Sequence, residues 1–173
     1  MQTANSGFVV ELSALDFQDY EQDGPLAGLN LQRDIERSAW ELAGKTQKAP
    51  AQRLIDFVKN KQSETLPKCS YTPGIVSVRL SKLLPKFIND ALVDGFIQMG
   101  KSMKGFLTND AIVVGPESRT SSPVRIPRDP KTSQHIEIWN LYPSGEGAGY
   151  AGGIMSAAID GMNMARSISK KKK

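Results

Sequence analysis

Residues 141–161 read Leu-Tyr-Pro-Ser-Gly-Glu-Gly-Ala-Gly-Tyr-Ala-Gly-Gly-Ile-Met-Ser-Ala-Ala-Ile-Asp-Gly, and no other stretch constrains the chain as strongly. A short apolar run before the glycines predicts a strand over residues 136–141, and an apolar stripe after them predicts a helix from about Gly152 to Ile168. The glycines therefore stand at a strand-to-helix turn. Without a Cβ they allow positive φ and let main chain lie close against a ligand. The helix behind them offers unpaired N–H groups and the positive end of its dipole, which favours an anionic or carbonyl-rich partner. Gly147, Gly149 and Gly152 satisfy the G-x-G-x-x-G spacing of a dinucleotide fingerprint. A full fingerprint continues to an acidic residue on a second strand about twenty positions on, whereas here the chain reaches the lysines 170–173. As a mononucleotide-binding unit it is incomplete.

Bulk properties exclude several other classes. The 173 residues are 39% apolar and 23% charged, the composition of a soluble globular protein long enough for a real core. Net charge is +4, from 22 basic against 18 acidic side chains, and the four terminal lysines supply all of that excess. A neutral body gives no support to a nucleic-acid surface. The single cysteine, Cys69, permits no internal disulfide and fits a reducing compartment. No run approaches the roughly 18 apolar residues of a membrane span, and the start has no charged and apolar secretory pattern. The expectation is a soluble intracellular protein, cytoplasmic or organellar. With one histidine, His135, no G-x-S-x-G elbow and no metal-ligand spacing, hydrolysis and metal catalysis find little support.

Periodicity predicts a strand over residues 7–15, a loop from Asp16 to the Gly24-Pro25 turn, and a helix over about 26–43 with Gly44 as C-cap. A second helix is expected over 49–59 with Pro50 in its first turn, then a polar loop and a Pro73-Gly74 turn. The longest helix is expected over 85–103, with Met99 and Met103 as pliable core filler, although Gly95 and Gly100 weaken its last turns. Residues 110–115 hold a short buried strand. In the polar run 117–126, an extended chain would place Arg119 and Ser121 on one side and Thr120 and Ser122 on the other. Those arginines suit a carboxylate, a phosphate or a ring carbonyl. Ordinary surface ion pairing of Arg119 and Glu117 is the alternative, worth about 0–1 kcal/mol. In the last helix Ile154, Ala157, Ala158, Met162 and Ala165 are expected to pack, with Asp160 facing solvent.

Residues 144–161, together with Glu117-Ser-Arg-Thr-Ser-Ser-Pro-Val-Arg-Ile126, closely resemble the C-terminal part of the large FAD-dependent dehydrogenases, whose chains end in Gly-Glu-Gly-Ala-Gly-Tyr-Ala-Gly-Gly. Further matches are Ala4-Asn5-Ser6-Gly7, the helix at 26–37, Ala49-Pro50-Ala51-Gln52 before Asp56-Phe57, and Ser70-Tyr71-x-Pro73-Gly74. The resemblance implies an α/β fold: an α+β-like substrate portion over 1–135, the returning strand, glycine loop and helix of an FAD-binding domain over 136–169, and a disordered basic tail over 170–173. It implies FAD as cofactor, approached by Gly145, Glu146, Gly147, Gly149, Gly152, Gly153 and Ile154. Glu146 would accept a hydrogen bond from a ribityl hydroxyl, and the N–H groups near Gly153 and Ile154 would face the O2 edge of the flavin. Arg119, Ser121, Ser122 and Arg125 are the candidates for framing a substrate or flavin site, with no catalytic residue fixed among them.

The family's N-terminal Rossmann segment has no counterpart in the sequence, so FAD binding by this chain alone is expected to be weak or absent. Two functions follow from the resemblance. In the first, the chain is the C-terminal portion of an FAD-dependent oxidoreductase acting on an unknown small molecule, with a complementing protein chain and without nucleic acid or membrane. In the second it is a non-catalytic module that docks on another subunit through an apolar patch beside residues 145–168.

Overall fold

The sheet is organised around β1 (Ala49–Arg53), whose three middle residues are buried. In the computed structural model, which describes residues 4–171, β1 pairs in parallel with β2 (Ile75–Ser77) and antiparallel with β3 (Ile112–Val114), in the order β2-β1-β3. Ala49 faces Ile75 on one side, and Ala51 faces Val114 on the other. The fold is α/β, helices together with this small mixed sheet.

The helix expected over 49–59 is therefore half strand, because only α2 (Leu54–Val58) is helical. Partners on both sides of residues 49–53 outweigh the local helix-start signal of Pro50, which still contributes its carbonyl to the Gly115 N–H. The buried Gln52 amide bridges distant chain: it donates to the Lys61 carbonyl at 2.7 Å and accepts the Leu80 N–H at 2.6 Å. These two bonds hold the polar loop and the 3-10 turn Leu80–Lys82 against the strand.

Residues 7–15 form no strand. Phe8 instead stacks on Phe96 and Phe106, and Phe57 meets Phe96 edge-on, which makes a four-ring core. At the end of the run the Ser13 N–H and hydroxyl both donate to the Asp16 carboxylate. Such local bonds compete with a ladder and start the 3-10 segment Ala14–Leu26, which replaces the loop expected there.

α1 (Ala27–Leu42) buries Leu31, Ile35 and Ala39 at helical spacing, as expected. Its end is a Schellman motif: Lys45 N–H reaches the Trp40 carbonyl and Gly44 N–H the Glu41 carbonyl, with Gly44 at φ +77°. α3 (Lys86–Ser102) buries Ile88 and Phe96. Its methionines are not core filler, since Met99 is half-buried and Met103 is exposed. α4 (Ile154–Lys171) closes the description, and Lys172 and Lys173 of the expected tail lie outside the described residues. No helix among the described residues is long and apolar enough to cross a membrane.

Chain contacts divide the molecule into two units, Met1–Asp16 with Arg33–Ser118, and Phe17–Gln32 with Arg119–Lys173. The first holds the sheet. In the second, the returning strand expected over 136–141 is a series of bends and turns. His135 explains the difference: its Nδ1 accepts the main-chain N–H groups of Glu137 and Ile138, and its main-chain N–H reaches the Leu141 carbonyl. The loop is tied to His135 through its imidazole and its main chain, and Ile136, Ile138 and Trp139 are exposed.

Candidate functional site

Every group of the candidate site lies in the second unit. Its anchor is Asp160, in the middle of α4 and only 9% exposed. The Asp160 carboxylate takes both terminal nitrogens of Arg128, at 2.7 and 3.0 Å, the Gly145 N–H at 2.8 Å and the Ser144 hydroxyl at 3.1 Å. Arg128 also donates to the Pro143 carbonyl at 2.8 Å. Together these bonds fasten the entry to the glycine loop onto α4. They hold the Asp160 pKa down to about 2, the Arg128 hydrogen bonds first and the Gly145 and Ser144 donors after, against the opposing effect of burial. Arg128 is raised in turn by the same partner.

Asp160 thus does not face solvent as expected, and α4 is rotated from its predicted setting. Ala157, Asp160 and Met164 turn inward, whereas Ile154, Ala158, Met162 and Ala165 are exposed. The arginine that neutralises the aspartate comes from 32 residues upstream, which no local pattern reveals. A signal did exist: Ala157, Asp160 and Met164 follow the three-and-four spacing of one helix face.

The loop itself is a pair of turns, with Gly149 N–H bonded to the Glu146 carbonyl and Tyr150 N–H to the Gly145 carbonyl. Gly145 and Gly149 have φ of +74° and +80°. At Gly149 a Cβ would lie 2.6 Å from the Val124 carbonyl oxygen, so this glycine is required twice over. Gly147 and Gly152 differ, since a Cβ on either would meet no atom within 4 Å. One side of the loop is packed and the other is open.

The packed side receives residues 119–128. This run is irregular, not the extended strand expected, and is laid along the loop by four contacts. Arg119 pairs with Glu146 at 3.5 Å, the Ser122 hydroxyl reaches the Gly147 carbonyl, Ile126 N–H reaches the Ala148 carbonyl, and the Tyr150 hydroxyl donates to the Ile126 carbonyl. Arg125 and Arg128 lie over the Tyr150 ring, at 4.4 and 3.5 Å from its centroid. Of the predicted framing residues, Arg119, Ser122 and Arg125 are brought to the loop, while Ser121 is exposed and stands outside the set. Arg128, Tyr150 and Asp160 complete the site.

These residues fit a flavin cofactor. The open faces of Gly147 and Gly152 admit a ring or ribityl chain against main chain, and Ile154, in the first turn of α4, is 91% exposed, which leaves that turn accessible. Glu146 keeps one carboxylate edge beyond the oxygen that meets Arg119, and so remains able to accept from a hydroxyl.

A family model described as FAD-dependent protein, C-terminal domain-like, matches residues 1–120. The glycine loop lies beyond that match. An uncharacterized protein of Clostridium beijerinckii is 42% identical over 173 residues, an alignment that covers 99% of this chain and 32% of the relative. The chain spans about a third of the length of the curated relative it matches. It belongs to the family of FAD-dependent proteins, as a C-terminal domain-like member.

Proposed function

We propose that this chain is the flavin-facing C-terminal portion of an FAD-dependent oxidoreductase and works together with a complementing chain that holds the adenine and pyrophosphate of FAD. The observation that carries the reading is the open face at Gly147 and Gly152, backed by a loop that Asp160 and Arg128 hold rigid. When bound, FAD supplies electron transfer that none of these side chains can perform. The chain's own groups do the rest. Main-chain N–H groups near Gly153 and Ile154 favour negative charge at the helix start. Glu146 accepts a hydrogen bond from a ribityl hydroxyl, and Arg119 keeps that carboxylate oriented. Arg125, stacked on Tyr150, offers a fixed guanidinium to an anionic group of the substrate.

Titration of the purified chain with FAD, followed by flavin fluorescence, tests the reading. Weak or absent binding is expected alone, and binding should appear on co-expression with a chain equivalent to the remainder of the longer relative. Gly152→Val should then abolish cofactor retention while leaving the circular dichroism unchanged. Nanomolar affinity without a second chain would refute the need for a complementing half.

A second reading, a non-catalytic docking module, is favoured by the outward face of α4. Ile154, Met155, Ile159 and Met162 are between 54% and 91% exposed. Apolar side chains so placed on a helix are a contact surface. Copurification with a partner that a Glu146→Ala variant retains, with no flavin in the complex, would favour this reading over the first.

A further inference from the structure

The first unit carries a cavity that the flavin reading does not use. It has a volume of about 230 Å³ and lies between the end of α1, the start of β1, the Tyr71 turn and the Gly115-Pro116 segment. Its walls are aromatic and proline faces: Trp40 and Tyr71, 48% and 44% exposed, with Pro50 and Pro116. Its polar edge is Thr46, Gln47 and Lys48.

Local chemistry explains why these groups stand where they do. The Schellman end of α1 makes Trp40 and Lys45 neighbours, at the two positions that more often share an apolar contact. Lys45 Nζ lies 5.8 Å from the Trp40 ring centroid. Thr46 has its hydroxyl committed, donating to the Ala43 carbonyl and accepting the Lys48 N–H. The Lys48 stem passes beside Gly74, where a Cβ would come only to ordinary contact distance, 3.9 Å from the Lys48 Cγ, and it is the φ of +88° that suits glycine. Tyr71 holds the Gln47 carbonyl only at 3.4 Å, a long bond easily exchanged for a better one.

Charge decides the class of ligand. No acidic side chain lines the cavity, and among the described residues neither Lys45 nor Lys48 takes part in an ion pair. Two half-exposed aromatic rings beside two unneutralised ammonium groups suit a flat apolar ring bearing one negative charge. The volume is below the roughly 300–1,000 Å³ of drug-sized sites, which limits the ring to one or two fused cycles.

We infer that this cavity is a binding site for a small aromatic carboxylate, with the ring between Trp40 and Tyr71 and the carboxylate at Lys48. All its groups belong to the first unit, so the inference stands or falls apart from the flavin reading.

The test uses the full chain and 4-fluorobenzoate, observed by ¹⁹F NMR. Saturable line broadening is expected, reversed by benzoate. Benzamide and cyclohexanecarboxylate, which lack the charge and the flat aromatic ring respectively, should compete about tenfold less well. Lys48→Gln and Tyr71→Leu should each weaken binding about tenfold with unchanged circular dichroism, whereas Trp139→Leu in the second unit should leave it unaltered. Absence of saturation up to about 10 mM, equal competition by benzamide, or full binding by both variants would overturn the assignment.

Discussion

In the first unit, most buried side chains are apolar and come from far apart in the sequence: Ile35, Leu54, Phe57, Leu80, Ile88 and Phe96 close around a three-stranded sheet, with Gln52 and Ser63 as the buried polar groups among the described residues. In the second, the buried apolar side chains among the described residues are Leu31, Pro143, Ala148 and Met164, and order comes from Asp160, Arg128 and backbone carbonyls. The first unit gains from water-excluding burial, which is non-directional and tolerant of small shifts. The second gains from hydrogen bonds, which fix a geometry but contribute only about 0.5–1.5 kcal/mol each, rather more where a charge takes part. A loop that holds main chain against a cofactor, as proposed for this one, would need geometry more than gross stability. Its apolar helix face, left outward, is then free to be covered by something else.

The contrast can be broken most forcefully at its strongest point. Phe96 is 4% exposed and touches the rings of Phe8, Phe57 and Phe106. Phe96→Ala should cost about 3–5 kcal/mol in denaturant unfolding. A loss below about 1 kcal/mol would mean that the ring cluster is not what holds the first unit. Next in size is Gly149→Ala, which combines an unfavourable positive φ with a Cβ 2.6 Å from the Val124 oxygen and 3.0 Å from the Arg125 Cα. It should cost at least about 2 kcal/mol, while Gly147→Ala, facing open space, should stay within about 0.5 kcal/mol apart from its effect on flavin.

A smaller effect tests the polar anchor by pH. Asp160 has a folded pKa near 2 and an unfolded value near the ordinary 3.9, so the unfolded chain binds the proton first on acidification. The stabilisation is therefore complete above about pH 4 and is lost as pH falls towards about 2, worth about 1–2 kcal/mol after allowance for solvent screening. Urea midpoints measured between these pH values should fall for the native chain. Asp160→Asn should be less stable at neutral pH, because Arg128 then lacks its countercharge, and its midpoints should fall less over the acid range. An unchanged acid slope in the variant would remove Asp160 as the anchor.

The same contrast explains what was legible in the sequence. α1 and α3 could be read because a stripe such as Leu31, Ile35 and Ala39 is a local property of a helix facing a core. The strand at 112–114 was legible as a short apolar run, but it is not the buried strand expected, since Ile112 and Val113 are half-buried and Val114 is exposed. Residues 49–53 were misread because their strand character is conferred by partners at 75–77 and 112–114. Residues 7–15 erred the other way: Phe8 goes to ring contacts while Val9 and Leu15 are exposed, so a β-like composition finds no ladder. At the candidate site the glycines declared themselves, since positive φ and close approach restrict residue type. Arg128 and Tyr150 did not, because a guanidinium reaching a carboxylate 32 residues away leaves no periodic trace.

The finest test lies within α3, where two glycines five residues apart occupy opposite situations. A Cβ at Gly95 would meet no atom within 4 Å, whereas one at Gly100 would lie 2.6 Å from Leu107 Cδ1 and 2.7 Å from its Cγ. Gly95→Ala should therefore raise stability by about 0.5–1 kcal/mol, the helix-propensity difference undiminished by any contact. Gly100→Ala should lower it by about 1 kcal/mol, since displacement of Leu107 outweighs the same gain. In a Leu107→Ala background the obstruction is gone, and Gly100→Ala should turn stabilising. Thermal denaturation of the four variants reads that change of sign. If Gly100→Ala remains destabilising without the leucine, the glycine serves the helix end itself, and the first unit tolerates less local adjustment than its apolar core implies.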